Sequence, residues 1–188
     1  MLNKKIKAVL LFGFLGFSSG ALSNDTYIGG GIASIDISDN GPNVNAFIGR
    51  FGKSFNENIT GEVRVGFGMK NRSFENPDYV KPDYLKTNYE VGGLFGTYLK
   101  IGAAASDNIY PYAVVGLTQT KVTKVTEFSF DGVSETIKIS ESKLDPSLGL
   151  GVELGNFETG TITIEYMNYV DKSIFELSGF SIGFTMAF

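Results

Sequence analysis

Residues Phe180 to Phe188, reading FSIGFTMAF, constrain the fold of this 188-residue chain more than any other stretch. Phe180, Ile182, Phe184, Met186 and Phe188 recur at every second position, with Ser181, Gly183, Thr185 and Ala187 between them. Period 2 is the signature of a β-strand with two unlike faces. A strand half exposed to water carries Lys, Glu or Asp on its wet side, whereas only small residues stand on the bare face here. That face is therefore crowded, and the bulky one meets something apolar.

A chain of this length makes one domain at most, beyond whatever is removed from its N-terminus. Asn3, Lys4, Lys5 and Lys7 open a positive segment, Ala8 to Phe17 form an apolar run, and Ala21-Leu22-Ser23 supplies a small-x-small site before Asn24. Residues 1–23 thus read as an export signal, with an apolar run too short to span a bilayer. The signal takes three of the 16 basic residues and none of the 20 acidic ones, so the exported chain is clearly acidic. It has no basic stripe of the kind nucleic acid requires. The absence of Cys excludes a disulfide framework and a thiolate metal site, and the absence of His removes the usual general base of hydrolases. No cofactor, metal or catalytic residue is expected.

After Asn24 no segment keeps an i, i+3, i+4 apolar rhythm for three turns, while period 2 recurs throughout, so residues 24–188 read as one all-β domain. Eight strands are expected. In the first, Thr26 to Ile37, Ser34 and Asp36 favour even-numbered residues inward. The second, Val44 to Gly52, sets Phe47 and Phe51 against Ala46, Ile48 and Arg50; the third, Ile59 to Met69, sets Val63, Val65, Phe67 and Met69 against Glu62, Arg64, Gly66 and Gly68. Residues 70–85, with two prolines and no alternation, read as a long loop. The fourth, Lys86 to Ile101, sets Tyr89, Val91, Phe95, Leu99 and Ile101 against Asn88, Glu90, Gly92, Gly96 and Lys100. The fifth starts at Tyr110, and Asp131-Gly132 between two alternating runs signals a two-residue hairpin, so the fifth and sixth strands project as a ribbon. The sixth resumes near Lys143 and sets Leu148, Leu150, Val152 and Leu154 against Ser147, Gly149, Gly151 and Glu153. The seventh, Thr161 to Tyr169, sets Ile162, Ile164 and Tyr166 against Thr161, Thr163 and Glu165.

If these strands run up and down, the two long connections, 70–85 and 127–142, fall at one end and only short turns at the other, the pattern of a barrel in an outer membrane. Backbone groups in hydrocarbon must all be paired, so a sheet crosses a bilayer only by closing on itself. The expected fold is an eight-stranded antiparallel up-and-down transmembrane β-barrel. Its bulky faces meet lipid, with Tyr89, Tyr110, Tyr112, Tyr166 and Phe188 as an aromatic girdle. A barrel of this size is filled by its own side chains. Its inward charges, Arg50, Glu62, Arg64, Glu153 and Glu165, are then expected to cluster across the lumen near the short-turn end, plugging it and fixing register. The competing reading of the same charges is a lined ion path.

Taken together the export signal, YIGGGIA opening the exported chain, FIGRFGKSFNENITGEVRVGFG, YPYAVVGL, TITIEY and FSIGFTMAF resemble the OmpA-like and opacity-protein-like family of eight-stranded outer-membrane barrels. The resemblance implies a bacterial outer-membrane surface protein among lipid and lipopolysaccharide. Its external loops would bind host or cell surfaces, resist complement, or simply maintain the membrane. It also implies that the barrel-assembly machinery reads the closing strand through Phe184, Met186 and Phe188. Loop candidates for surface contact are Phe74, Tyr79, Lys81 and Tyr84, and Phe128 and Phe130 beside the hairpin; the plainer reading packs them on one another or on lipopolysaccharide. Barrel acyl-transferases and deacylases of this size use His, so the resemblance implies no enzyme. Two alternatives stay open: a soluble periplasmic lipocalin-like ligand carrier, with the bulky faces inside, and a narrow small-solute pore.

Overall fold

The computed structural model describes residues 26–37, 43–68, 72–75, 84–130, 133–156, 159–170 and 176–188, with backbone alone at 72–75, 84, 85, 89, 130 and 170. The expected export signal lies outside these residues. Among the described residues nine strands follow in chain order: β1 (Thr26–Ile37), β2 (Val44–Ser54), β3 (Ile59–Gly68), β4 (Arg72–Glu75), β5 (Tyr84–Gly102), β6 (Ile109–Phe130), β7 (Val133–Asn156), β8 (Gly160–Val170) and β9 (Leu177–Ala187). All pairings are antiparallel and join chain neighbours, except that β1 pairs with β9 and β3 passes over β4 to pair with β5. Those two pairings close eight strands into an up-and-down barrel. The short β4, inside the segment expected to be all loop, lies along the far part of β5, from Arg72 opposite Tyr89 to Glu75 opposite Lys86.

The first and last strands seal the barrel. Their register runs from Tyr27 opposite Ala187 to Ile37 opposite Leu177, so β9 begins three residues earlier than the FSIGFTMAF alternation shows. At its end the Phe188 amide donates to the Thr26 carbonyl at 3.1 Å, and the Thr26 hydroxyl donates to the Phe188 carbonyl at 3.0 Å. The bulky residues of the FSIGFTMAF stretch all face out: Phe180, Ile182, Phe184, Met186 and Phe188 are each roughly half exposed, while Leu177 at the start of β9 is buried. Residues opposite one another share a face. Accordingly Ile28, Phe47, Val65, Phe67, Leu99, Ile101, Val115, Leu117, Leu148, Leu150, Ile162 and Tyr166 join them in an apolar outer surface. The lipocalin-like arrangement, with these faces inside, is overturned by that exposure.

Three expected facings are reversed. In β1 the odd residues point inward: Ala33, Ile35 and Ile37 are buried, whereas Ser34 and Asp36 are exposed. Polarity misled because the lumen at that end is apolar. In β5 the register skips between Val91 and Gly93, leaving Gly92 as an extra residue, so Val91 turns inward and Asn88 and Glu90 move to the outer face. In β6 Tyr112 is 4% exposed and Tyr110 half-buried, both on the inward even face with Val114 and Thr118, so neither belongs to an outer girdle. Tyr166 and Phe188 do face out, and the Tyr89 side chain is outside the described atoms.

The lumen is divided along its length. Toward the ribbon end it is filled by Ile35, Ile37, Val44, Ala46, Ile48, Val91, Leu94, Val114, Met167, Tyr169 and Leu177, all buried. Toward the end bearing Thr26, Phe188 and the turn at residues 55–58 it carries charges. The outer belt sets a test: Ile182→Arg, at mid-strand on the lipid side, is expected to lower folding stability in phospholipid vesicles by about 2–4 kcal/mol. Ala33→Ser, pointing into the lumen, should cost less in the same urea titration.

Candidate functional site

Strand alternation brings Arg50, Glu62, Arg64, Glu153 and Glu165 into the lumen, and the structure joins them into one network to which Lys100 also belongs. Arg64 is its hub, with no exposed surface. Its Nη1 and Nη2 donate to Glu165 Oε1 and Oε2 at 2.5 and 2.9 Å, crossing the lumen from β3 to β8, while its Nε donates to Glu62 Oε2 at 2.6 Å. A planar guanidinium holds one carboxylate through a two-pronged fork and a second through Nε, a fork geometry an ammonium lacks. Arg50 Nη2 stands 3.7 Å from Glu165 Oε1, and among the described residues its Nε and Nη1 meet no hydrogen-bond partner. Lys100 Nζ donates to Glu153 Oε1 at 2.8 Å and lies 4.0 Å from Glu62. Three cations thus face three carboxylates, and the buried set is neutral.

Tyrosines complete it. Tyr27 donates to Glu62, Tyr112 donates to Glu165 Oε2 at 3.0 Å, and the Tyr98 ring lies 4.6 Å beneath the Arg64 guanidinium carbon. Lys100 Nζ sits 4.6 Å from the Tyr27 ring centre and 5.3 Å from that of Tyr112. Each of these rings lies over a glycine. A Cβ at Gly151 would stand 2.5 Å from the Tyr112 ring, and Cβ atoms at Gly52 and Gly96 would collide with Tyr27 and Tyr98. The bare inner face is therefore bare because rings occupy the room. Farther along, Tyr98, Thr118 and Ser147 form a hydroxyl chain with steps of 2.6 Å, ending on the Tyr169 carbonyl at 3.0 Å.

Below Lys100 and Glu153 the lumen opens into a cavity of about 530 Å³ lined by Tyr27, Phe55, Thr60, Tyr110 and Thr161. Its hydroxyls are already engaged: Thr161 pairs with Thr185 at 2.6 Å and Ser54 with Thr60 at 3.0 Å. Among the described residues no cluster of acidic side chains is arranged to hold a metal ion.

Sequence reasoning omitted Lys100, Tyr27, Tyr98 and Tyr112 from the cluster. Lys100 carried a signal, since it stood on the bare face with Gly96. Tyr112 carried none, because AVVGL beyond it is apolar on both faces.

At the opposite end β6 and β7 run in unbroken register from Ile109 opposite Leu154 to Phe130 opposite Val133. The expected ribbon of the fifth and sixth strands is thus present, and β7 runs from Val133 through Lys143 into the barrel without the interruption the sequence suggested. Among the described residues β8 accompanies β7 only between Leu148 and Asn156, so residues 133–147 extend past it with β6 on one side. Val133, Ile137 and Ile139 are exposed there, and Phe128 is half-buried. Tyr79 and Lys81 lie outside the described residues, as do the side chains of Phe74, Tyr84 and Phe130.

The model of the outer membrane protein beta-barrel domain family matches residues 8–188. Among solved structures, Ail of Yersinia pestis, crystallised with the heparin analogue sucrose octasulfate, is 17% identical with a TM-score of 0.56, covering 87% of this chain and 97% of its own. The N-terminal β-barrel domain of Pseudomonas aeruginosa OprF is 12% identical with a TM-score of 0.53, covering 86% and 98%. Neisserial surface protein A is 13% identical with a TM-score of 0.51, covering 88% and 98%. No curated protein sequence matches.

The two arginines are unequal, which generates an expectation. Arg64→Met strands Glu62 and Glu165 in a dry site and should cost about 3–5 kcal/mol of folding stability in urea titration. Arg50→Met removes a guanidinium with one long ion contact and should cost clearly less. Equal losses would contradict the hub role of Arg64.

Proposed function

Since the chain belongs to the outer membrane protein beta-barrel domain family, we propose that it is a non-enzymatic surface protein of the bacterial outer membrane, working through the segments that stand outside the cell. The observation that carries this reading is the ribbon: β6 and β7 continue, still paired, beyond the lipid-facing belt, with Val133, Ile137 and Ile139 exposed upon it. Exposed aliphatic residues on a stiff two-stranded support fit surface contact, because the support loses little conformational freedom on binding. The same reading takes segment 70–85, with Phe74, Tyr79, Lys81 and Tyr84, as a second segment for contact with lipopolysaccharide or a cell surface. Phe184, Met186 and Phe188 turn outward along the seam strand, where barrel-assembly machinery would meet them.

The barrel itself acts as a sealed support. The neutral charge network plugs one half of the lumen and the apolar packing fills the other, and an ion crossing the second half would lose its hydration without finding a partner. The pore reading therefore ranks second.

Protease added to intact cells should cleave within residues 127–142 and 70–85 and leave the turns at 55–58 and 103–108 intact. Cleavage at those turns would invert the topology and end this reading. In planar bilayers neither the wild type nor Arg64→Ala should conduct, although the variant unfolds more readily; a steady conductance removed by Arg64→Ala would instead establish the pore.

A further inference from the structure

The ribbon has an edge. Among the described residues β7 is paired on both sides from Leu148 onward but only with β6 from Val133 to Ser147. At every second residue along that stretch the backbone N–H and C=O point away from β6, an open ladder that an added strand can extend. Its ladder to β6 carries no bulge, and Pro146 stands at its base, so within 133–145 every second residue presents its N–H and C=O to the open side.

The charges along this edge say what kind of strand fits. Glu135, Ile137, Ile139, Glu141 and Lys143 share one face, since they are odd-numbered. Lys143 Nζ already lies 3.4 Å from Glu141, so its ammonium is held on that face. Two copies of the edge paired antiparallel about Ile139 place Glu135 of each opposite Lys143 of the other, twice over, with the two Ile139 side chains together at the centre. Opposed residues of unlike charge stabilise a sheet pair and like charges oppose it. Three neighbouring symmetric registers set like charges against one another. Centring on Lys138 sets Glu135 against Glu141, centring on Ser140 sets Glu135 against Asp145, and centring on Glu141 sets that residue against its own copy.

We propose that the free edge of β7 is a homotypic docking site for the β7 edge of a second copy of this chain. This rests on the ribbon standing outside the cell, as argued above. Antiparallel strands that both rise from a membrane must rise from opposed membranes, so the pairing tethers two surfaces. Overlap of residues 133–145 sets the barrels roughly 40 Å apart, at about 3.3 Å per residue.

The full chain folded into phosphatidylcholine vesicles, in two populations with different fluorescent lipids, tests this by co-localisation and turbidity. Wild-type vesicles should tether. Glu135→Lys vesicles alone and Lys143→Glu vesicles alone should fall to the level of protein-free vesicles, because each variant sets like charges opposite one another. Mixing the two single variants should restore tethering, since Lys at 135 then meets Glu at 143 and Lys143 meets Glu135; the double variant should tether by itself. Restoration on mixing also shows that neither variant merely fails to fold. Absence of wild-type tethering, tethering indifferent to either single change, or failure of the mixture would each overturn the proposal. Protease accessibility of residues 127–142 on the same vesicles and on cells separates the two readings: an exposed ribbon that does not tether removes the homotypic site and leaves the surface protein standing.

Discussion

Hydrocarbon offers a peptide group nothing to bond with, and from that single constraint most of this molecule follows. Each unpaired N–H or C=O in lipid costs several kcal/mol, so the seam between β1 and β9 is a condition for the other seven pairings to persist there. The same constraint sorts side chains. With the backbone satisfied inside the wall, the outer face has only to be apolar, which explains Ile28, Leu150 and Ile182 in a position that would be a fault in a soluble sheet.

The inner face answers to a different rule, that of a small volume with no solvent to repair mistakes. Near the termini, rings and charges share the space: glycines at 52, 96 and 151 make room for tyrosines, and the tyrosines bring hydroxyls to carboxylates that the arginines and lysine have already neutralised. Removing any partner would leave a charge without water. Near the ribbon, Ile35, Val44, Leu94 and Met167 fill the bore as in a soluble core, where no such dependence arises. One wall thus encloses two interiors, one held by polar specificity and one by packing.

What the amino-acid order made legible follows from this division. Where one face is lipid and the other crowded, alternation reads cleanly, as in β3, β8, β9 and the barrel part of β7, and the inward position of Arg64, Glu153 and Glu165 came with it. Alternation fails where both faces are apolar or where its count is broken. In β1, Ser34 and Asp36 point outward near the strand's end, so polarity signalled the wrong side. In β5 one residue, Gly92, reverses every facing beyond it, and nothing local distinguishes a bulge glycine from one that spares room for a ring. The partners of each charge were not legible either. That Arg64 reaches Glu165 rather than Glu153 depends on stagger around the barrel, which no single strand records.

β7 shows how the constraint relaxes along one strand. Between Leu148 and Leu154 it is paired on both sides and carries Leu148, Leu150, Val152 and Leu154 outward, as lipid demands. Past Ser147, among the described residues, only β6 pairs with it, and beyond Leu144 that same face carries Ser142, Ser140, Lys138, Thr136 and Ser134. An open edge is tolerable only where water can bond to it, so the change in composition and the loss of β8 occur together. Glu135, Glu141 and Lys143 then act as charges on an edge usually act, excluding strands that do not match. The pattern that guards this edge against arbitrary partners is also the one its own copy satisfies, which makes selectivity and self-recognition a single property of these residues.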